Sequence, residues 1–379
     1  MKILLASTSN ENFSGASKCL IELAYELKMR NHEVIVSIPK SGGELENDLE
    51  NLHIQFCIVR EYQCWYKKIN KKTNFFSMAI KSVLNEISVE RCRKYLRLEK
   101  FDIVHVNAIT AYVVGKAAIM ENIPVVWHIR EFMEEDLGIT FVNKAKSLKI
   151  LNKSTQFIAI SQVIKEKWSK YIKRSINVVY DGVSIDKYCI SEKSDHDEIN
   201  ILLYGRIVQG KGQLFYINAA NKVLDRIHTK CKFYFAGKIE DENYYNQCNE
   251  IIYDNNRNKD VQYIGEINDI KKLLKETDIV CVCSSMEGFG RVTVESMLGK
   301  CLVIGADSGA TAELIKDNET GILYKSDSME DFCEKLVECI DNFERYYEVI
   351  NNGQKDCCNR FTDNKNVESI LSIYENVKK

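Results

Sequence analysis

Three short stretches of this 379-residue chain set charged or imidazole side chains at the end of an apolar run, two of them beside glycines. The run Ile279–Cys283 leads into Glu287-Gly288-Phe289-Gly290-Arg291-Val292-Thr293-Val294-Glu295. A buried strand that ends in a glycine turn and opens a helix presents backbone N–H groups and a positive helix end, both suited to phosphate or sugar oxygens. Glutamates eight apart fall near one helix face, which puts Glu287 at the helix start and Glu295 about two turns inside it. A second run, Ile201–Tyr204, leads into Gly205-Arg206-Ile207-Val208-Gln209-Gly210-Lys211-Gly212. A guanidinium grips phosphate oxygens in bidentate fashion and an ammonium adds a compact charge, so Arg206 and Lys211 suit a diphosphate. The third is Trp127-His128-Ile129-Arg130-Glu131 at the end of Pro124–Ile129, where His128 is placed to face a cleft. Taken singly, each stretch fits equally a glycine turn with solvated glutamates, a solvated loop and a structural histidine.

Other chemistries lack their residues. The phosphate-binding pattern GxxxxGK[ST] does not occur, and the run ending at Ala6 is followed by Asn12-Phe13-Ser14-Gly15-Ala16 rather than a dinucleotide GxGxxG. The single D-x-D, Asp195-His196-Asp197, lies in a polar stretch away from any strand end and reads as solvated linker rather than a metal-binding pair. Fourteen cysteines form no CxxC pair, and Cys281, Cys283 and Cys301 sit in apolar runs as small core residues. Neither zinc nor disulfides are expected. Only Ile3-Leu4-Leu5-Ala6 follows Lys2 before polar residues begin, so no secretory leader is read and a cytoplasmic location is expected.

The elements that must position these residues follow an α/β alternation, repeated twice, which predicts two largely parallel sheets. Strands are predicted at Lys2–Ala6, Glu33–Ile38, Ile54–Val59, Ile103–Val106, Pro124–Ile129, Gln156–Ile160 and Asn177–Tyr180. The stretch Ala16–Arg30 places Leu20, Leu23, Ala24 and Leu27 on one helix face, with Ser14 or Ser17 as N-cap. Residues 181–199 are polar and acid-rich and read as a linker. A second set of strands is predicted at Ile201–Tyr204, Lys232–Ala236, Val261–Ile264, Ile279–Cys283 and Leu302–Gly305. A last amphipathic helix carries Val367, Ile370, Leu371, Tyr374 and Val377 and must dock on something. The organisation expected is a first domain at 1–180, a linker at 181–199, a second domain at 200–355 and a C-terminal helix within 356–379.

The net charge of −2 conceals an asymmetry. Residues 1–180 carry 27 basic and 19 acidic side chains, net +8, whereas residues 181–379 carry 25 and 35, net −10. Residues 60–100 alone hold 11 basic and 4 acidic side chains, with Tyr62, Trp65, Tyr66, Phe75 and Phe76 beside Lys67, Lys68, Lys71, Lys72 and Lys81. That mixture suits an anionic membrane surface as well as it suits a solvated basic helix with core aromatics. A basic excess this local, without a nucleic-acid-binding pattern, disfavours nucleic acid as a partner.

The three stretches in this order resemble the GT-B glycosyltransferases of family 4, retaining enzymes that use nucleotide sugars. Family-like pieces fill the gaps: Ile160-Ser161, Val179-Tyr180-Asp181-Gly182-Val183, Phe235-Ala236-Gly237, Tyr263-Ile264-Gly265-Glu266-Ile267, the run from Gly305 to Ile315, and Thr320-Gly321-Ile322-Leu323. The resemblance implies two Rossmann-like domains facing across a cleft, with the C-terminal helix crossing back to the first. It implies that Arg206 and Lys211 bind the donor diphosphate, Glu287 contacts hydroxyls of the transferred sugar and Glu295 contacts the ribose. By the same resemblance Gly15 lets the backbone approach the phosphate, His128 lies beside the anomeric carbon, and Ile264 borders the base. Gly288, Phe289, Gly290 and Arg291 would offer backbone N–H groups. At the junction the chain has Asp181-Gly182-Val183-Ser184 where the family often has Asn-Gly-Val-Asp, so no role is carried onto those side chains.

Two opposed carboxylates at the reacting carbon would signal double displacement, and the sequence shows none. The resemblance implies same-face attack, with the leaving diphosphate helping to take the acceptor proton and no metal or other cofactor. The partners it implies are a nucleotide sugar, with UDP favoured as the carrier, and a glycan or lipid-linked acceptor in cell-surface polysaccharide or glycolipid synthesis. Peripheral attachment to the inner face of the plasma membrane would fit residues 60–100. Two alternatives share the two-lobed layout: a nucleotide-sugar epimerase, and a non-enzymatic ligand-binding protein, which has no reason to carry four charged residues at strand ends.

Overall fold

The computed structural model describes residues 1–12, 14–67 and 75–378. The chain forms two compact units. Unit 1 joins Met1–Gly182 to Asp363–Lys379, and unit 2 is Val183–Thr362.

Unit 1 contains β1 (Lys2–Ala6), β2 (Glu33–Ile38), β3 (Gln55–Ile58), β4 (Trp65–Lys67), β5 (Ile103–Val106), β6 (Val125–Ile129), β7 (Ile139–Phe141), β8 (Gln156–Ala159) and β9 (Ile176–Val178). Seven of these form a parallel sheet in the order β3-β2-β1-β5-β6-β8-β9. Parallel strands covered on both faces read as continuous apolar runs, which is why Ile3–Ala6 and Ile103–Val106 were legible and are fully buried. The short antiparallel pair β4-β7 was not predicted, because three-residue strands carry no periodicity.

Helix Gly15–Met29 follows β1, with Ser14 accepting a hydrogen bond from the Ser17 N–H at 3.0 Å and Leu20, Leu23, Ala24 and Leu27 buried. Helix Asp363–Lys378 packs on it and inserts Val367, Ile370, Ile373 and Tyr374 into the unit 1 core. The amphipathic tail therefore docks on the first unit. Ile373 takes a fully committed place there, while Leu371 and Val377 lie at its margin.

Unit 2 contains β10 (Ile199–Tyr204), β11 (Cys231–Ala236), β12 (Val261–Tyr263), β13 (Ile279–Val282), β14 (Leu302–Ala306) and β15 (Ile322–Tyr324). They form a parallel sheet in the order β12-β11-β10-β13-β14-β15. In each unit the chain winds outward in both directions from a central pair, β1/β5 or β10/β13. Loops leave the carboxyl ends of such a pair on opposite faces and open a crevice there.

Residues 183–199 lie within unit 2 rather than free of it. Val183 bridges Thr362, helix Ile185–Tyr188 follows, and the Lys193 ammonium donates to the Leu274 and Gly299 carbonyls at 2.7 and 3.2 Å. One charged side chain of this linker-like segment, Lys193, thus satisfies backbone carbonyls of unit 2.

Candidate active site

The loops at the carboxyl ends of β10 and β13 carry the predicted charged residues of unit 2. After β10 the chain makes one 3-10 turn at Gln209–Lys211 and enters helix Gln213–Val223 through Gly212. Gly212 has φ +78°, and a Cβ there would stand 2.3 Å from the Cys283 carbonyl oxygen. Only glycine lets the two loops approach so closely. The approach brings Lys211 Nζ to 2.6 Å from Glu287 Oε1. Arg206, 40% exposed, pairs with Glu240 at 3.0 Å.

Glu287 is held from behind. Its carbonyl accepts from the Ala310 N–H at 2.9 Å, and a Cβ at Gly309 (φ +53°) would come within 2.8 Å of the Glu287 backbone nitrogen and oxygen. Burial pushes its carboxyl upward, but the Lys211 ammonium, hydrogen bonds from Lys211 and Ser284, and the Arg206 charge outweigh burial and hold it below the ordinary range. Glu287 is thus an ionised acceptor at neutral pH.

The helix in this motif starts later than the spacing suggested. It spans Arg291–Leu298, with Gly290 at φ +94° as its cap, so Glu287 sits in the turn before the helix and Glu295 lies one turn inside. A left-handed residue cannot continue a right-handed helix, which is why the one-face reading fails at Gly290. Glu295 is buried; its Oε1 accepts from Arg291 Nε and its Oε2 from the Tyr204 hydroxyl, each at 3.3 Å. Burial and the neighbouring Glu295 push the Tyr204 hydroxyl well above its ordinary pKa, so it stays a donor. Gly288 precedes Phe289, whose ring is buried edge-on to Phe361 with centroids 5.8 Å apart. Ile264, just past β12, is 40% exposed and donates its N–H to the Phe235 carbonyl at 3.0 Å.

In unit 1, Gly15 is the exposed first residue of its helix. His128 lies inside β6 and is fully buried (0% exposed) rather than open at the strand end. Its Nδ1 is 3.2 Å from Nε2 of His105 and 3.5 Å from Nη2 of Arg130; its Nε2 has no hydrogen-bond partner among the described residues. Nδ1 of His105 meets the Tyr374 hydroxyl at 2.8 Å. Arg130 is anchored by Asp181 at 2.6 Å and by Asn107 Oδ1 at 2.8 Å, so Asp181 belongs to a buried ion pair in unit 1. Burial, with the Arg130 charge, drives His105 down to about 3 and His128 well below its ordinary value. Burial raises Glu131 to about 7, against N–H donors from Arg130 and Ile109.

His105 and Tyr204 were given no site role in the sequence, and Tyr374 was read only as part of the docking face of the last helix. A signal existed for the first: His105 and His128 are each the penultimate residue of an otherwise apolar buried strand. Lys68, Lys71 and Lys72 of the basic stretch and the Phe75 side chain lie outside the described residues. Trp65 and Tyr66 are half-buried in β4, whereas Phe76, Ile80, Val83 and Ile87 form an exposed stripe at helical spacing on helix Phe75–Glu99.

A sheet pair of this kind with basic and acidic loops at the carboxyl ends defines a GT-B class protein, and comparison agrees. Residues 13–187 match the family described as glycosyltransferase family 4, and residues 185–356 that described as glycosyl transferases group 1. The chain belongs to the family 4 (group 1) glycosyltransferases. It is 23% identical over 97% of its length, and 96% of theirs, to a Campylobacter jejuni α-1,4-N-acetylgalactosaminyltransferase named for a diphosphoundecaprenol-linked acceptor. An Escherichia coli UDP-Gal:α-D-GlcNAc-diphosphoundecaprenol α-1,3-galactosyltransferase is 24% identical over 74% of this chain and 77% of its own. Among solved structures, Anabaena HepE in complex with UDP-glucose superposes with a TM-score of 0.81 at 21% identity, covering 99% of this chain and all of that one. The two-unit α/β fold is the one that likeness shows.

Proposed function

We propose that this glycosyltransferase moves a hexose, with retention, from a UDP-sugar to a glycan carried on a lipid diphosphate. The observation that carries the reading is the Lys211–Glu287 pair at the ends of β10 and β13, where the sheet order reverses. Lys211, with Arg206, takes the diphosphate and stabilises the charge that grows on the leaving oxygen. Glu287, ionised and fixed by Gly309 and Ala310, accepts hydroxyls of the transferred sugar. Glu295 accepts the ribose hydroxyls, Ile264 borders the base, and backbone N–H groups from Gly288 to Arg291 and at Gly15 serve phosphate or sugar oxygens. His128 is assigned to the transferred sugar near its anomeric carbon, a contact that requires its buried Nε2 to be uncovered as the donor binds. The cationic loop does the work of a metal in this reading. The relatives named for UDP-galactose and for diphosphoundecaprenol acceptors support the choice of donor and acceptor.

A thermal-shift panel of UDP-, GDP- and ADP-sugars tests the donor. A ligand at 100 times its Kd stabilises the fold by about 2.7 kcal/mol, so one UDP-sugar is expected to stand above the rest. A flat panel overturns the assignment.

The lipid acceptor places the enzyme at the inner leaflet. Among the described residues no helix is long and apolar enough to cross a membrane. Attachment is therefore assigned to the stripe Phe76, Ile80, Val83 and Ile87, with Lys81, Arg91 and Lys94 on the same helix to meet anionic headgroups. Co-sedimentation with phosphatidylglycerol vesicles but not with phosphatidylcholine vesicles is the expected result; equal recovery with both, or none with either, rejects it.

A further inference from the structure

The pair of buried histidines has a direction. A guanidinium only donates, and Arg130 Nη2 stands 3.5 Å from His128 Nδ1 with its other nitrogens committed to Asp181 and Asn107. A proton on that nitrogen would point donor at donor, so Nδ1 of His128 is the acceptor. Nε2 of His105, 3.2 Å away, must then carry the N–H. Nδ1 of His105 is left with a lone pair, which accepts from the Tyr374 hydroxyl at 2.8 Å. The chain runs one way: Tyr374 O–H to His105 Nδ1, His105 Nε2–H to His128 Nδ1. Its last member, His128 Nε2–H, is fully buried and has no partner among the described residues. The rings also fix one another, since His105 lies edge-on to His128 at 77° and to Tyr374 at 76°, with centroids 5.2 and 5.8 Å apart.

We propose that His105 and Tyr374 are positioning residues for glycosyl transfer, which hold in one orientation the His128 imidazole whose Nε2–H tautomer Arg130 fixes, so that it offers a single N–H donor to a sugar oxygen. The inference rests on the reading that His128 contacts the transferred sugar. The hydrogen bond at one ring nitrogen decides what the other presents. With Tyr374 silenced, His105 is free to turn its Nε2–H away; Arg130 still bars a proton from His128 Nδ1, but at 3.5 Å it does not hold the ring, and the Nε2–H donor loses its aim. The C-terminal helix thus acts on His128 through one intervening ring.

The test uses the full chain labelled with 15N-histidine. Long-range 1H–15N correlation is expected to show His128 as the Nε2–H tautomer, with Nδ1 unprotonated, in the parent and in Tyr374→Phe, and to show the Nδ1 resonance shifted in the variant as the hydrogen bond from His105 is lost. UDP release from UDP-galactose and UDP-glucose supplies the kinetics. Loss of an orienting partner of this kind costs about 10- to 100-fold, so kcat is expected to fall in Tyr374→Phe and His105→Leu with little change in donor KM. His105→Gln keeps an N–H in reach of His128 Nδ1 and is expected to recover most of the rate, which a purely structural role does not predict. His128 found as the Nδ1–H tautomer in the unaltered protein overturns the proposal, whether or not either sugar turns over. So does Tyr374→Phe with the His128 Nδ1 resonance and kcat both unchanged. Full activity in His128→Ala would instead sink the placement of His128 at the sugar, a result separable from the tautomer itself.

Discussion

Lys211 holds three N–H donors and gives one to Glu287, at 2.6 Å, which leaves two for an incoming diphosphate. In the proposed function the same side chain both keeps the sugar-facing carboxylate ionised and neutralises the leaving group. Its loss removes an interaction that strengthens as the glycosidic oxygen gains charge. Lys211→Ala is expected to lower kcat by about 10²- to 10³-fold with nucleotide Kd nearly unchanged. Glu295→Ala is expected to do the reverse and weaken UDP binding in calorimetry. Full turnover in Lys211→Ala would remove the diphosphate assignment. A second residue-scale expectation concerns acid. His105 and His128 have folded pKa values below the ordinary 6.5, so the stability they support is complete above that pH and is lost as pH falls toward the folded values. Each neutral histidine should withdraw about 1 kcal/mol by pH 5.5 relative to pH 7. Thermal unfolding of the parent and His105→Gln at both pH values checks this, with the variant expected to lose less.

At the scale of elements, the parallel strands were legible because burial on both faces writes itself as unbroken apolar runs. β1, β2 and β5 fall on their predicted bounds. β15 was seen only as a family-like piece, because Ile322-Leu323-Tyr324 is too short to show a pattern. Residues 183–199 misled for another reason: composition records charge, and does not record that Lys193 caps carbonyls of two neighbouring loops. In the site, residue types were legible and pairings were not. Glycine spacing pointed to a turn after β13, yet the contact between Lys211 and Glu287 depends on Gly212 touching Cys283, a proximity set by the sheet order. Gly212→Ala meets both a left-handed φ and the Cys283 carbonyl, and is expected to destabilise by about 1–3 kcal/mol. A midpoint of thermal unfolding within a degree of the parent would show that the loops can part without cost.

For the whole molecule, the charge asymmetry first seen as +8 and −10 follows the division into units closely, since unit 1 ends its long segment at Gly182. The other consequence of that division lies in the chain's end. Val367, Ile370, Ile373 and Tyr374 fill the unit 1 core. At about 1.5–3 kcal/mol for each buried side chain, removing residues 363–379 withdraws roughly 6–12 kcal/mol, comparable to the whole stability of a domain. The truncated chain is expected to bind a hydrophobic dye and to lose amide protection across β1, β2 and β5, while β10 and β13 stay protected; uniform protection would contradict this. Synthesis on a ribosome gives the same feature a temporal meaning. The first unit to be made is the last to be finished, because 180 residues of unit 2 must be translated before the helix that completes its core exists. Unit 2 is contiguous and can close on its own as it emerges. The folding order is thus the inverse of the order of translation, and the nascent first sheet spends that interval with an apolar face open to whatever chaperone meets it.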